Sequence, residues 1–278
     1  MNKFFYYSLL LSICLQSCHK HDDDNNPPPI EKDCKITSQT GFDYLVDAKY
    51  GTGFKKTYSP DGKISELIVS SFTGYENVDT VTYSVRYLDD LTIRLTPVHY
   101  SHPSERGPAD SIDVILNSKG FATQTIDYSN LPGGLPIIVK FSYDASGKLD
   151  SAQWDENPAV RFSYDDSGNL IKIKTPSSFF EEVDYTYDYS KKAKNQIYVT
   201  TGFNFGVYNL VEILNLIPIA HKNICTSQRI FRSDLYFDET FTISNHTMDN
   251  YGNLTSFQMM VSSIGESKTI TNAVHCED

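Results

Sequence analysis

Short alternations of apolar and polar residues recur along most of the chain. Val139-Lys-Phe141-Ser-Tyr143, Val160-Arg-Phe162-Ser-Tyr164 and Val183-Asp-Tyr185-Thr-Tyr187 place apolar or aromatic side chains at every second position, and Val81-Thr-Tyr83-Ser-Val85-Arg-Tyr87 does the same upstream. A period of two marks a half-buried β-strand, with one face on a core and the other in water. These segments predict an all-β domain.

The links between such segments reuse one phrase. It reads Tyr58-Ser-Pro-Asp61-Gly62-Lys-Ile64, Tyr143-Asp144-Ala-Ser-Gly147-Lys-Leu149, Tyr164-Asp165-Asp166-Ser-Gly168-Asn-Leu170 and Met248-Asp249-Asn-Tyr-Gly252-Asn-Leu254, with Asn117-Ser-Lys-Gly120-Phe121 as a weaker copy. Asp or Asn bonds its own backbone two residues on, and Gly supplies the positive φ of a tight hairpin with a bulge. Each copy therefore predicts a hairpin tip. Gly147 and Gly168 are 21 residues apart and Gly168 and Gly252 are 84 apart, a multiple of the same interval, which suits two strands and two turns.

Tyr143-Asp144 with Gly147 and Tyr164-Asp165 with Gly168 resemble YD-repeat (RHS-like) sequences, although Ser59-Pro60 and Met248 break the dipeptide. In that family hairpins coil around an interior. This chain carries too few copies for a closed shell, so the expectation is a long antiparallel meander forming a curved or partly closed sheet. Over most of 36–278 the chain also resembles Bacteroidota lipoproteins grouped under a domain of unknown function and described as porin-like in fold. That resemblance implies an outer-membrane lipoprotein and no known activity.

One segment departs from the strand pattern. From Val207 to Ile217 the polar residues fall at Asn209, Glu212 and Asn215. That spacing predicts a short helix near 207–217 with one narrow polar face, ended by Pro218 and capping an open end of the sheet. A capping helix would hide Leu210, Leu214 and Ile217, whereas a docking helix would show them.

The N-terminus adds an address. Lys3 precedes a mostly apolar run, Phe4 to Leu15, of signal-peptide length and too short to span a bilayer. Leu15-Gln16-Ser17-Cys18 resembles a lipobox, with Gln16 departing from the usual small residue, which implies cleavage after residue 17 and acylation of Cys18. Residues 18–35 then read as a tether. Asp22, Asp23 and Asp24 followed by Pro27, Pro28 and Pro29 carry too little apolar surface to fold and form an extended spacer. The acidic cluster behind the acylated cysteine also resembles the surface-export signal of Bacteroidota lipoproteins. Residues 36–278 are expected to form a single β-repeat domain.

Charge and cysteines refine this. The formal charge is −11, and without Lys3 there remain 23 basic against 35 acidic residues, or −12. A phosphate backbone demands a basic face, so nucleic acid is excluded as a partner. Cys34, Cys225 and Cys276 remain in an oxidising setting, where one disulfide and one free thiol is the simplest outcome. All three pairings are open; joining Cys34 to Cys276 would staple the first strand near the last.

Candidate chemistry is sparse. His99, His102 and Glu105 converge only if a turn brings them together, since residues three apart on a strand face opposite sides. Asp61, Asp144, Asp165, Asp166 and Asp249 are accounted for by turn formation, and Asp155-Glu156 and Glu181-Glu182 point to opposite sides of a strand. No catalytic residue, metal or cofactor is expected. Aromatics are the remaining resource: Trp154, Tyr143, Tyr164 and Tyr185 would suit stacking on a ligand if they emerged on an open face. The predicted role is a lipid-anchored, non-catalytic binding module at the envelope, engaging a glycan, a peptide or an envelope protein. The alternative is an envelope hydrolase with a site at the mouth of the curved sheet.

Overall fold

The computed structural model of the chain describes residues 34–40, 52–72, 78–100, 111–128, 135–154, 156–175, 181–194, 196, 206–218, 221–232, 237–263 and 265–276. The predicted signal, Cys18 and all of the predicted tether before Cys34 lie outside these residues.

The described residues form sixteen strands. They are β1 (Cys34–Thr40), β2 (Thr52–Tyr58), β3 (Ile64–Phe72), β4 (Val78–Asp89), β5 (Thr92–Tyr100), β6 (Ile112–Leu116), β7 (Ala122–Asp127) and β8 (Ile137–Tyr143). The second half continues with β9 (Leu149–Trp154), β10 (Val160–Tyr164), β11 (Leu170–Lys174), β12 (Glu181–Lys192), β13 (Asn223–Arg232), β14 (Phe237–Met248), β15 (Leu254–Val261) and β16 (Ser267–Cys276). Each strand pairs antiparallel with the next, and β1 pairs with β16 from Cys34↔Cys276 to Thr40↔Thr271. The sheet is a closed barrel.

Closure corrects the expectation of a curved or partly closed sheet. Counting glycine tips undercounts strands, because the β4–β5 link at Asp89-Asp90 carries no glycine and the β12–β13 link is a long crossover. Pairing of the first strand with the last is a contact across more than two hundred residues. Local alternation cannot register it.

Alternation itself sets the two faces. On β8, Val139 and Phe141 are buried while Lys140 and Ser142 are exposed; on β10, Val160 and Phe162 are buried while Arg161 and Ser163 are exposed. Ile36, Leu67, Ile93, Leu95, Val114, Leu149, Ile173, Val183, Phe257 and Ile270 line the same inner side around the ring and are buried in one core. Apolar side chains therefore fill the barrel.

The helix, α1, is shorter than the sequence suggests, spanning Gly206–Ile213. It stops because Asn215 takes a left-handed conformation, φ 58°. The Leu216 N–H donates to the Val211 carbonyl at 2.9 Å and the Asn215 N–H to the Glu212 carbonyl at 2.8 Å, a Schellman end that precedes Pro218 by several residues. Leu210, Leu214 and Ile217 are buried in the barrel core. So is Glu212, which polar spacing alone places on an outer face.

Candidate functional site

An up-and-down barrel puts alternate links on opposite ends. Every even-to-odd link therefore falls on one end, here the tip end, together with the start of β1 and the finish of β16. That end gathers all five copies of the glycine-tip phrase, the β12–β13 crossover with α1, and the Cys34–Cys276 disulfide.

The tips are built alike. Asp144 Oδ1 accepts the backbone N–H groups of Ser146 and Lys148, both at 2.9 Å, and the Gly147 N–H donates to the Asp144 carbonyl at 3.0 Å. Asp165 with Gly168, Asp249 with Gly252 and Asn117 with Gly120 repeat the arrangement. Ser59 and Asp61 make a variant through their side chains. Glycine is required by conformation: φ lies between 75° and 85° at Gly62, Gly120, Gly147, Gly168 and Gly252.

Two tips differ in the residue after the glycine. Asn169 and Asn253 stand where Gly62 and Gly147 are followed by lysine, and both asparagines are fully buried. The crossover is sewn to these two tips. At one, the Lys194 N–H donates to the Gly252 carbonyl at 2.7 Å and the Leu254 N–H to the Lys194 carbonyl at 3.1 Å. At the other, Asn169 Oδ1 accepts the N–H groups of Lys222 and Asn223 at 2.8 and 2.9 Å. Gln196 Nε2 reaches the carbonyls of Ala193, His221 and Asn223 between them.

His221 lies under this strap. Its Nδ1 is 2.6 Å from the Tyr187 hydroxyl, which donates to the Leu170 carbonyl at 2.5 Å, so Nδ1 carries the proton and the ring is the donor. Burial lowers its pKa to about 3, and the imidazole is neutral.

Beneath α1 two further ionisable groups are enclosed. Lys56 turns inward from β2 and donates to the Ile213 carbonyl at 2.8 Å, supplying a cation to the C-terminal end of the helix. Desolvation, assisted by the charge of Lys35, lowers its pKa to about 7. Glu212 is buried with Oε2 lacking a hydrogen-bond partner, and burial raises its pKa to about 8. A neutral carboxyl is the form such a site holds at neutral pH. The Ala122 N–H donates to the Leu216 carbonyl at 2.7 Å, so the α1 segment contacts both β2 and β7.

The aromatic residues singled out from the sequence face the interior. Tyr185 is buried on the inner side, and Tyr143, Tyr164 and Trp154 pack against the same core. Tyr143 donates to the Ala122 carbonyl at 2.5 Å, and burial raises the pKa of both Tyr143 and Tyr164. None of the four joins an outward-facing aromatic row. Cys34 and Cys276 are disulfide-bonded, and Cys225 is free and buried, its thiol pushed up to about 12. His99 is exposed on β5, while His102, Glu105 and Asp155 lie outside the described residues. Glu182 pairs with Lys172 at 2.6 Å on the outer face. Among the described residues no group of three or more His, Cys, Asp or Glu side chains is placed to hold a metal ion.

Sequence reasoning passes over Lys56, His221, Asn169, Asn223 and Asn253. The break of alternation at Lys55-Lys56 and the exchange of lysine for asparagine after two tip glycines are the signals that mark them.

No family model matches the sequence, and no curated protein matches it. Among solved structures, a porin-like protein from Bacteroides uniformis ATCC 8492 superposes with a TM-score of 0.59 at 17% identity, over 89% of this chain and 100% of that one. A porin-like protein from Bacteroides vulgatus ATCC 8482 gives 0.54 at 15% identity, over 86% of this chain and 98% of that one. What is shared is the fold.

A membrane-spanning barrel turns an apolar band outward and keeps a polar lumen. Here Thr82, Arg94, Lys140, Arg161, Lys172, Asp184, Thr186 and Arg229 face outward, partly tied in ion pairs such as Arg94–Asp113 and Arg229–Asp238, and most apolar side chains face in, with Ile126, Ile138 and Phe231 among the outward exceptions. A lysine or arginine on a lipid-facing belt costs about 2–4 kcal/mol at the bilayer midplane. Among the described residues no helix is long and apolar enough to cross a membrane either.

Proposed function

We propose that this chain is a lipid-anchored envelope protein whose barrel acts as a rigid, non-catalytic display scaffold, engaging a glycan, a peptide or another envelope protein. The observation that carries this reading is the inversion of the barrel among the described residues: a mainly polar outer face and a filled, mainly apolar interior. Among the described residues such a body offers neither an open lumen nor a continuous apolar belt, and the segment before Cys34 is the membrane attachment in this reading. The apolar run to Leu15 and Cys18 supply that attachment by acylation, and residues 18–35 act as the spacer. The two Bacteroides neighbours share the barrel, and a location at the outer membrane agrees with the lipobox-like stretch.

The test has two parts. Metabolic labelling of the full chain with an alkynyl fatty acid should mark the mature protein, and Cys18→Ser should abolish the label. The acylated chain should then retain at least one member of a panel of envelope proteins and surface glycans. Unlabelled wild-type protein would remove the anchor; silence across the panel would remove the binding role.

A further inference from the structure

We infer that the tip end of the barrel lies against the lipid surface to which the chain is tethered, making a second, non-covalent contact with it. This rests on the acyl-anchor reading of Cys18. Nine large apolar or aromatic side chains are exposed among the described residues, and six of them stand on the tip end: Tyr87, Leu88 and Leu91 at the β4–β5 link, Tyr189 at the close of β12, and Met248 and Tyr251 at the β14–β15 tip. Leu88 is 50% exposed, Leu91 46% and Tyr189 57%. A barrel whose core is already filled gains nothing internally from these residues.

Topology places them around the tether. On the ring of strands the β16–β1 junction has the apolar β14–β15 tip beside it on one side and, beyond the polar β2–β3 tip, the apolar β4–β5 link on the other, so the polypeptide enters at Cys34 between two apolar tips. Fifteen residues separate Cys18 from Cys34, a span of about 55 Å when fully extended. An acyl group at Cys18 therefore keeps this end within reach of the membrane that holds it, and leaves the odd-to-even links on the far end.

The chemistry fits an interface. Tyrosines combine an apolar ring with a polar tip and favour the headgroup level, where leucine and methionine side chains reach the acyl boundary. Exposed Lys119, Lys191, Lys192 and Lys222 share the tip end and suit phosphate groups. Tip aspartates oppose this: Asp61, Asp90, Asp165 and Asp166 share this end with Asp89, Asp144, Asp188 and Asp249, and the last four keep their charge while turning an oxygen onto a backbone N–H of their own turn. The contact is therefore shallow and carried by the apolar and aromatic side chains.

Depth-dependent quenching tests this. The full acylated chain, with Trp154→Phe as background, is reconstituted on vesicles of phosphatidylethanolamine and phosphatidylglycerol containing brominated phosphatidylcholine. Single tryptophans are introduced as Leu91→Trp, Tyr251→Trp and, on the far end, Leu135→Trp. Emission from positions 91 and 251 should fall by about half, as expected for side chains at the headgroup and acyl boundary, while position 135 stays unchanged. Flotation with the vesicles without quenching at 91 and 251 would overturn the docking and leave the anchor standing. Failure of the wild-type chain to float would remove the anchor and the docking with it. Protection of 91 and 251 from aqueous iodide without lipid quenching would assign the surface to a protein instead.

Discussion

Asn169 and Asn223, 54 positions apart, hold each other by two hydrogen bonds: Asn169 Nδ2 donates to Asn223 Oδ1 at 3.0 Å, and Asn169 Oδ1 accepts the Asn223 N–H at 2.9 Å. One side chain placed after a tip glycine thus completes its own turn through Asp165 and seats the start of β13. Replacing it leaves the buried N–H of Asn223 and the partly buried one of Lys222 without an acceptor, a loss of about 1–3 kcal/mol. Asn169→Ala should lower stability to denaturant by that amount. Lys148→Ala, at the matching position of the β8–β9 tip, should cost less than about 1 kcal/mol, since its ammonium only covers the Tyr164 ring. Equal losses would show that the strap is not held through Asn169.

The Cys34–Cys276 bond closes a loop with a sequence separation of 242 residues at the seam where the barrel shuts. Restricting so long a loop in the unfolded chain stabilises the folded one by about 5 kcal/mol on entropy alone. Cys34→Ser with Cys276→Ser should lower unfolding stability by several kcal/mol, read from denaturant midpoints. Adding reductant to this variant should change nothing further, because Cys225 is buried and unbonded.

Glu212 and His221 give opposite pH slopes. The folded pKa of Glu212 is raised to about 8, so the folded state holds more protons than the unfolded one above the ordinary carboxyl range, and stability falls as pH rises toward 8. Glu212→Gln should remove that slope and stabilise the protein by about 4 kcal/mol at pH 8, with little change at pH 4. His221 is lowered to about 3, so the unfolded state holds more protons between pH 3 and 6.5, and stability falls as pH drops through that window. Melting temperatures of wild type and the two variants Glu212→Gln and His221→Asn across pH 4–9 would check both signs. Lys56, lowered to about 7, contributes a rise in stability between pH 7 and 10.5 that Glu212→Gln should leave in place.

Purified protein added to a planar bilayer should give no stepwise conductance, because Phe141, Phe162, Phe257 and α1 occupy the space a lumen would need. Discrete ion currents that vanish with the protein would contradict the filled interior.

Much of this fold was legible in residue order. Alternation at 139–143, 160–164 and 183–187 identifies strands because adjacent side chains on a strand must face opposite environments. The Asp-x-x-Gly phrases identify tips because only glycine relieves the positive φ there. Position 212 shows the limit: three-residue polar spacing reads as an exposed helix face, yet burial in the barrel overrides it and leaves a protonated carboxyl.

What the sequence by itself determined is therefore the all-β character of the chain and the kind of turn that joins several of its strands, both set by interactions within a few residues. Only the tertiary structure decided that β1 meets β16, that the inner face is mainly apolar but carries Gln39, Thr125, Gln228 and Asn272, and that Lys56, Glu212, Asn169 and Asn223 come together with α1 at one end. Those outcomes depend on contacts between residues far apart in the chain, whose cooperative burial no local pattern encodes.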